Sequence, residues 1–151
     1  MKILFYIIIG LGLVIVLLFV GLSIASRKTP ELGLLNGQLR PCPSTPNCVC
    51  SEYRDTPAFI PPLSYTTAVD KAWRHAREVV VATGGEVVTD AKGYLHARYV
   101  TPLMRFVDDV ELRLDESHHQ IQIRSASRVG RSDLGANRQR VERIRTAWKS
   151  K

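Results

Sequence analysis

The rhythm of hydrophobic and polar positions changes several times along this chain. From Ile3 to Ile24 the residues are almost all apolar and none is charged. These 22 residues, at ~1.5 Å of helical rise each, reach ~33 Å, enough to cross a hydrocarbon core of ~30 Å. The run predicts a transmembrane helix over residues 1–26, closed by Arg27 and Lys28. A cleaved signal peptide is the competing reading, since Ser23-Ile24-Ala25 offers a small-x-small pattern. A signal's apolar region is ordinarily ~7–15 residues, however, and this one is longer. A lipoprotein signal does not fit, because Cys42 follows Leu39-Arg40-Pro41 instead of small residues beside the apolar run.

Over residues 27–63 the apolar pattern dissolves, and seven of the eight prolines fall between Pro30 and Pro62. Proline lacks an amide donor and pushes its predecessor out of helical space, so the segment predicts an extended arm that packs on a domain. Periodicity returns at Ser64. Val69, Ala72, Trp73, Ala76 and Val80 recur at helical spacing, with Ser64 or Thr66 as a cap and Gly84-Gly85 as a stop near Ala82. Alternation then predicts strands at 86–89, 94–100, 105–114 and 121–128. A last helix begins at Ser132 or Asp133, with Leu134, Val141, Ile144 and Trp148 as its buried stripe and Arg138, Arg140, Arg143 and Arg145 beside it.

These elements predict an α+β domain over residues 64–151. Its simplest form is a four-stranded antiparallel sheet with both helices on one face. Pairing Leu112 with Ile123 puts Glu111 opposite Arg124 and Asp108 opposite Ser127. The second face then carries His96, Arg98, Asp109, Glu111, Arg124 and Arg128.

Charge sharpens this picture. Arg124 to Lys151 holds nine Lys/Arg and two Asp/Glu, a balance of 9 − 2 = +7, equal to the formal charge of the whole chain. In a cytosolic protein such an excess suggests nucleic acid. Beside a membrane helix it disfavours nucleic acid and points to an anionic lipid headgroup, an envelope polymer or an envelope protein. The positive-inside comparison is nearly a tie, with Lys2 and the N-terminal amine against Arg27 and Lys28.

The cysteines in PCPSTPNCVC follow no common zinc spacing and have no histidine nearby, so no metal or other cofactor is expected. Two readings stand: a Cys42–Cys48 disulfide with Cys50 unpaired, or three reduced, inert thiols in a cytosolic domain. The disulfide reading favours an N-in, C-out topology.

Three stretches, CPSTPNC, FVDDVELRL and IRSASRVGRSDLGANRQRVERIR, together resemble the domain-of-unknown-function 1499 family, over about Leu39 to Trp148. The resemblance implies a small envelope or membrane-associated domain in bacteria, with plastid relatives, and no established activity. The family pattern carries cysteines at the positions of Cys42 and Cys48 and usually serine where this chain has Cys50.

Candidate chemistry is sparse. Asp108 and Asp109 adjoin in a strand, face opposite ways and cannot share a metal without a bulge. Asp108, on the apolar face opposite Ser127, reads as structural. His118-His119 falls at a hairpin tip, and no serine sits in a Gly-x-Ser-x-Gly elbow. Arg128 to Gly135 leads into a helix whose free amides suit an anion, although Asp133 would already occupy that positive end. The candidate ligand contacts are Arg98, Asp109, Arg124, Arg128, Arg131, Ser132 and Arg138, with Asp108, Ser127 and Asp133 as structural partners. The expected function is a non-catalytic, single-pass membrane-anchored module for an anionic ligand or envelope partner. The alternative is a small hydrolase using Asp109, His96 and Ser127 or Ser132.

Overall fold

A computed structural model describes residues 1–150. The apolar run forms α1 (Lys2–Ala25). The arm supplies four short strands: β1 (Leu34–Leu35), β2 (Gln38–Leu39), β3 (Cys48–Cys50) and β4 (Leu63–Ser64). Then follow α2 (Val69–Ala82), β5 (Glu86–Ala91), β6 (Tyr94–Val100), β7 (Val107–Asp115), β8 (Gln120–Ser127) and α3 (Ala136–Lys149).

The sheet is antiparallel and has six strands, not four: its order is β3-β8-β7-β6-β5, and β4 joins the same edge of β8 beyond β3. Sequence periodicity misses β3 and β4 because each is at most three residues long and lies among prolines. Their partner supplies what they lack. β8 offers an open edge, and short pieces of chain without continuous donors can pair there. In the central hairpin, Leu112 pairs with Ile123, Glu111 with Arg124 and Asp108 with Ser127, as the charge pattern predicts.

Both helices cover one sheet face. Ala72, Ala76, Val79 and Val80 of α2, with Val141 and Ile144 of α3, pack on Leu95, Ala97, Val110, Leu112, Ile121 and Ile123. Gly85 permits the close approach of α2 to the sheet, since a Cβ there would lie 2.7 Å from Val80 and 2.9 Å from the Tyr99 ring. Several local expectations are corrected. α2 starts at Val69 without a side-chain cap, so neither Ser64 nor Thr66 caps it. α3 starts at Ala136, after Gly135 at φ +82°. Leu134 therefore lies outside the helix and is 92% exposed instead of buried. Arg140, expected beside the stripe, is buried.

The second sheet face is not open either. The β1–β2 hairpin and the residues after α1 lie over it, so His96, Asp109, Glu111 and Arg124 are all buried. Leu39 of β2 is fully buried, and Ser26, the residue after α1, is 0% exposed.

Candidate functional site

The covered face is an ionic layer in three groups, of which only Glu111 with Arg124 is a directly paired cross-strand couple; His96 with Asp109 and Tyr94 with Glu111 reach diagonally across the register. In the first, Arg128 grips Asp109 with both arms of its guanidinium: Nη2 to Oδ1 at 2.7 Å and Nε to Oδ2 at 2.8 Å. His96 Nε2 donates to Asp109 Oδ1 at 2.7 Å. In the second, Arg124 Nη1 and Tyr94 Oη donate to the two oxygens of Glu111, at 2.8 and 2.7 Å, and the Gly33 amide adds a third bond at 2.9 Å. In the third, Arg113 Nε donates to Glu52 Oε1 at 2.6 Å, and the Leu39 amide also donates to Glu52. Gly33 and Glu52 belong to the arm, so the lid is fastened by one carboxylate it covers, Glu111, and by one it carries, Glu52. A carboxylate so enclosed needs partners on nearly every lone pair, and these have them.

Burial alone would raise the Asp109 carboxyl pKa. The bonds from His96 and Arg128 outweigh burial and hold it below the usual carboxylate range. The Tyr94 hydroxyl is pushed well above its ordinary range by burial and by the neighbouring Glu111 charge. The Cys50 thiol, on the same face of β3, is raised chiefly by burial, which suits an inert thiol better than a reactive one.

A second buried polar cluster lies on the helix side. Asp108 accepts from Arg140 Nη2 at 2.5 Å, and that guanidinium lies 5.1 Å above the centre of the Tyr99 ring. Arg140 Nη1 also donates to Ser125 Oγ at 3.1 Å and Asn137 Oδ1 at 2.5 Å. Asn137 Nδ2 donates to Ser127 Oγ at 2.9 Å and to the Asn47 carbonyl at 2.9 Å. Asp133 accepts from the amides of Gly135 and Asn137 at 3.0 and 2.7 Å, so it holds the positive end of α3 that an anion would need.

The candidate residues therefore do not converge. Asp109, Arg124 and Arg128 are sealed in the ionic layer. Ser127 lies on the other side of the sheet from His96 and Asp109, so a Ser127–His96–Asp109 relay is not assembled. Arg98 is half-buried and pairs with Glu86 at 2.8 Å. Ser132 Oγ accepts from the Leu134 amide at 3.3 Å, within its own turn. Arg138 donates to the carbonyls of Pro57 and Phe59, and Arg145 does the same for Pro61 and Pro62. Arginines on α3 thus satisfy proline-arm carbonyls that have no strand partner. Arg131 is exposed, and among the described residues it has no hydrogen-bond or ion-pair partner.

Ser26, Asn47, Glu52, Tyr94, Arg113, Asn137 and Arg140 complete these clusters and are not foreseen from the sequence. Ser26 and Glu52 reach partners 81 and 61 positions away, a separation with no periodic signature. The Glu111–Arg124 pairing was the readable signal, because it follows from strand register.

Cys42 and Cys48 are bridged, with Cα atoms 5.6 Å apart. Beside the bridge a cavity of about 610 Å³ opens between the proline loop, Tyr53 and the start of α3, with Arg138 on its wall. A second, of about 640 Å³, lies between Lys71, His75 and Trp148. Neither contains His96, Asp109 or a nucleophile set beside a base. Among the described residues no group of three or more His, Cys, Asp or Glu could hold a metal ion.

The fold and the buried clusters define a small α+β domain, pinned by a disulfide and two internal salt-bridge networks, behind an N-terminal helix long and apolar enough to cross a bilayer. A signal sequence in that position would share this length and composition. The chain belongs to the DUF1499 family of proteins of unknown function, whose profile matches residues 38–148. A comparison with curated proteins found no match.

Proposed function

We propose that this protein is a non-catalytic, single-pass membrane-anchored interaction module, and that its exposed arginines engage an anionic partner outside the cytoplasm. One observation carries the reading: some arginines are locked into the fold, while others stand exposed without an ion pair. Arg113, Arg124, Arg128 and Arg140 are committed to carboxylates within the fold. Arg27, Arg105 and Arg131 are exposed and have no ion-pair partner among the described residues. These three, with Arg54, Arg74 and Arg143, which are likewise exposed and without an ion pair among the described residues, are available to a ligand, and Asp109, Arg124 and Arg128 drop out of the expected binding surface.

Retention of α1 as an anchor is supported by Ser26. Its Oγ accepts from the Val107 amide at 3.1 Å, and its carbonyl accepts from Arg128 Nη1 at 3.3 Å. Cleavage after Ala25 would create a charged, buried ammonium at Ser26, close to that guanidinium. The disulfide supports the N-in, C-out topology, because such bonds persist in oxidising compartments.

The test uses the full chain in neutral detergent micelles with polyphosphate as a soluble anion. We expect binding at low salt that weakens as salt rises, since exposed charges are screened over about 8 Å at physiological ionic strength. We also expect weaker binding by Arg105→Gln/Arg131→Gln, with polyphosphate chain length unchanged. No binding at low salt would sink the interaction reading, and shortening of the chains would favour the hydrolase.

A further inference from the structure

One end of the sheet gathers features that neither buried cluster uses. The β6–β7 loop, residues 101–106, and the β8–α3 loop, residues 128–135, leave the sheet at the same end, because Val100 pairs with Val107 and Asp108 with Ser127. α1 leaves there too. Besides the Ser26 bonds, Arg128 Nη1 donates to the Arg27 carbonyl at 3.1 Å. The rings of Phe19 and Phe106 lie 6.3 Å apart. The domain is therefore fastened to its helix and not hung from a free linker.

This joint sets a depth. Phe19 lies six residues before Ala25, or ~9 Å along the helix. α1 has 24 residues and extends ~36 Å, against a hydrocarbon core of ~30 Å, so its last turns pass through the interface. The β6–β7 loop, lying beside Phe19, sits at the level where headgroups meet acyl chains. At its tip Leu103 is 87% exposed, and on the neighbouring loop Leu134 is 92% exposed. The tip is preformed. Thr101 N donates to Phe106 O at 2.9 Å, Arg105 N to Thr101 O at 3.1 Å, and Phe106 N to Thr101 Oγ1 at 2.9 Å.

The charge at this end is positive. Arg27, Lys28, Arg105 and Arg131 are exposed, with no carboxylate partner among the described residues. The nearby carboxylates are engaged elsewhere, Asp133 by the α3 amides and Glu86 by Arg98. Apolar tips flanked by long basic side chains suit a lipid interface, where the tips enter the acyl boundary and the cations stay at phosphate level.

We infer that the α1-proximal end of the domain is a surface for anionic phospholipid headgroups, with Arg27, Lys28, Arg105 and Arg131 contacting phosphates and Leu103 and Leu134 entering the bilayer. This rests on the anchored, anion-binding reading above and names its partner as the membrane that α1 crosses. The consequence is a domain held in a defined orientation on the bilayer, its opposite end, with the His118-His119 hairpin, facing away.

The full chain carrying Leu103→Cys, labelled with an environment-sensitive fluorophore, tests it in nanodiscs. Cys50 is buried and the other two cysteines are bridged, so labelling is selective. One set of discs contains phosphatidylcholine, the other phosphatidylcholine with phosphatidylglycerol. We expect acrylamide to quench the label several-fold less in the anionic discs. High salt or Arg105→Gln/Arg131→Gln should abolish that difference. A label at Glu116→Cys, in the hairpin at the far end, should be quenched equally in both. Arg105 and Arg131 make no side-chain bonds in the fold, so an unchanged near-ultraviolet circular dichroism spectrum verifies the double variant. Equal quenching at position 103 in both discs overturns the lipid surface. If polyphosphate binding persists in that case, the partner is a soluble anion and only the choice of lipid is wrong; if it is also absent, the anion-binding reading falls with it.

Discussion

Asp108 and Asp109 are neighbours in sequence and meet different arginines on opposite faces of one strand, Arg140 and Arg128. Removing one partner of a buried ion pair costs ~3–5 kcal/mol, and Arg140 keeps Ser125, Asn137 and the Tyr99 ring, which puts Asp108→Ala near ~3 kcal/mol. Asp115→Ala should cost less, about 1 kcal/mol, because Arg113 keeps Glu52 when it loses Asp115, and the other bonds given up, to Ser117 and His118, lie in a partly exposed hairpin. Denaturant melts of the two variants check the order, and equal losses would contradict the buried network. Asp109 carries a pH signature. Its folded pKa is depressed, so its contribution is complete above the unfolded carboxylate value of ~3.9 and disappears as pH falls through the lower folded value. Asp109→Asn should lower stability at neutral pH and flatten the acid limb of the stability curve. An acid limb as steep as that of the unaltered protein would assign the linkage to other carboxylates.

At the scale of elements, the arm matters most. Composition shows that residues 27–63 cannot form a helix, yet this stretch provides two edge strands, a hairpin lid and Glu52. The Cys42–Cys48 bridge closes a separation of six residues next to β3. On the chain-entropy model such a loop contributes about 2 kcal/mol, so Cys42→Ser/Cys48→Ser should lower stability by that order while β3 keeps its pairing with β8. Chemical denaturation gives the energy, and hydrogen exchange at the Ser51 amide, which donates to the Ile123 carbonyl of β8, reports the edge. Loss of protection there in the otherwise folded variant would mean that the bridge also holds the strand. α3 complements the arm: its arginines looked like a basic outer face, but Arg138 and Arg145 spend their donors on arm carbonyls.

For the whole molecule, the proposed topology has a direct check. A C-terminal alkaline-phosphatase fusion should be active in a bacterial host, and an active cytoplasmic reporter with an inactive phosphatase fusion would reverse the orientation. At this scale the line between readable and unreadable is clear. The apolar helix, the order of the later elements, the register of β7 on β8 and the burial of Asp108 all follow from period, turn chemistry and charge, because each depends on residues close in the chain or on one strand pair. Whether the second face was open did not. His96, Asp109, Glu111 and Arg124 alternate with apolar residues as a solvated face would, and nothing local distinguishes that from a covered one. The cover comes from Ser26 and the arm after it, 61 to 102 positions from their partners and held through Ser26, Gly33 and Glu52. A charged residue buried in an ion pair and one free in water have the same identity in the chain. Only the tertiary structure supplies the partner, and with it the difference between an arginine that holds the fold and one that is free to bind.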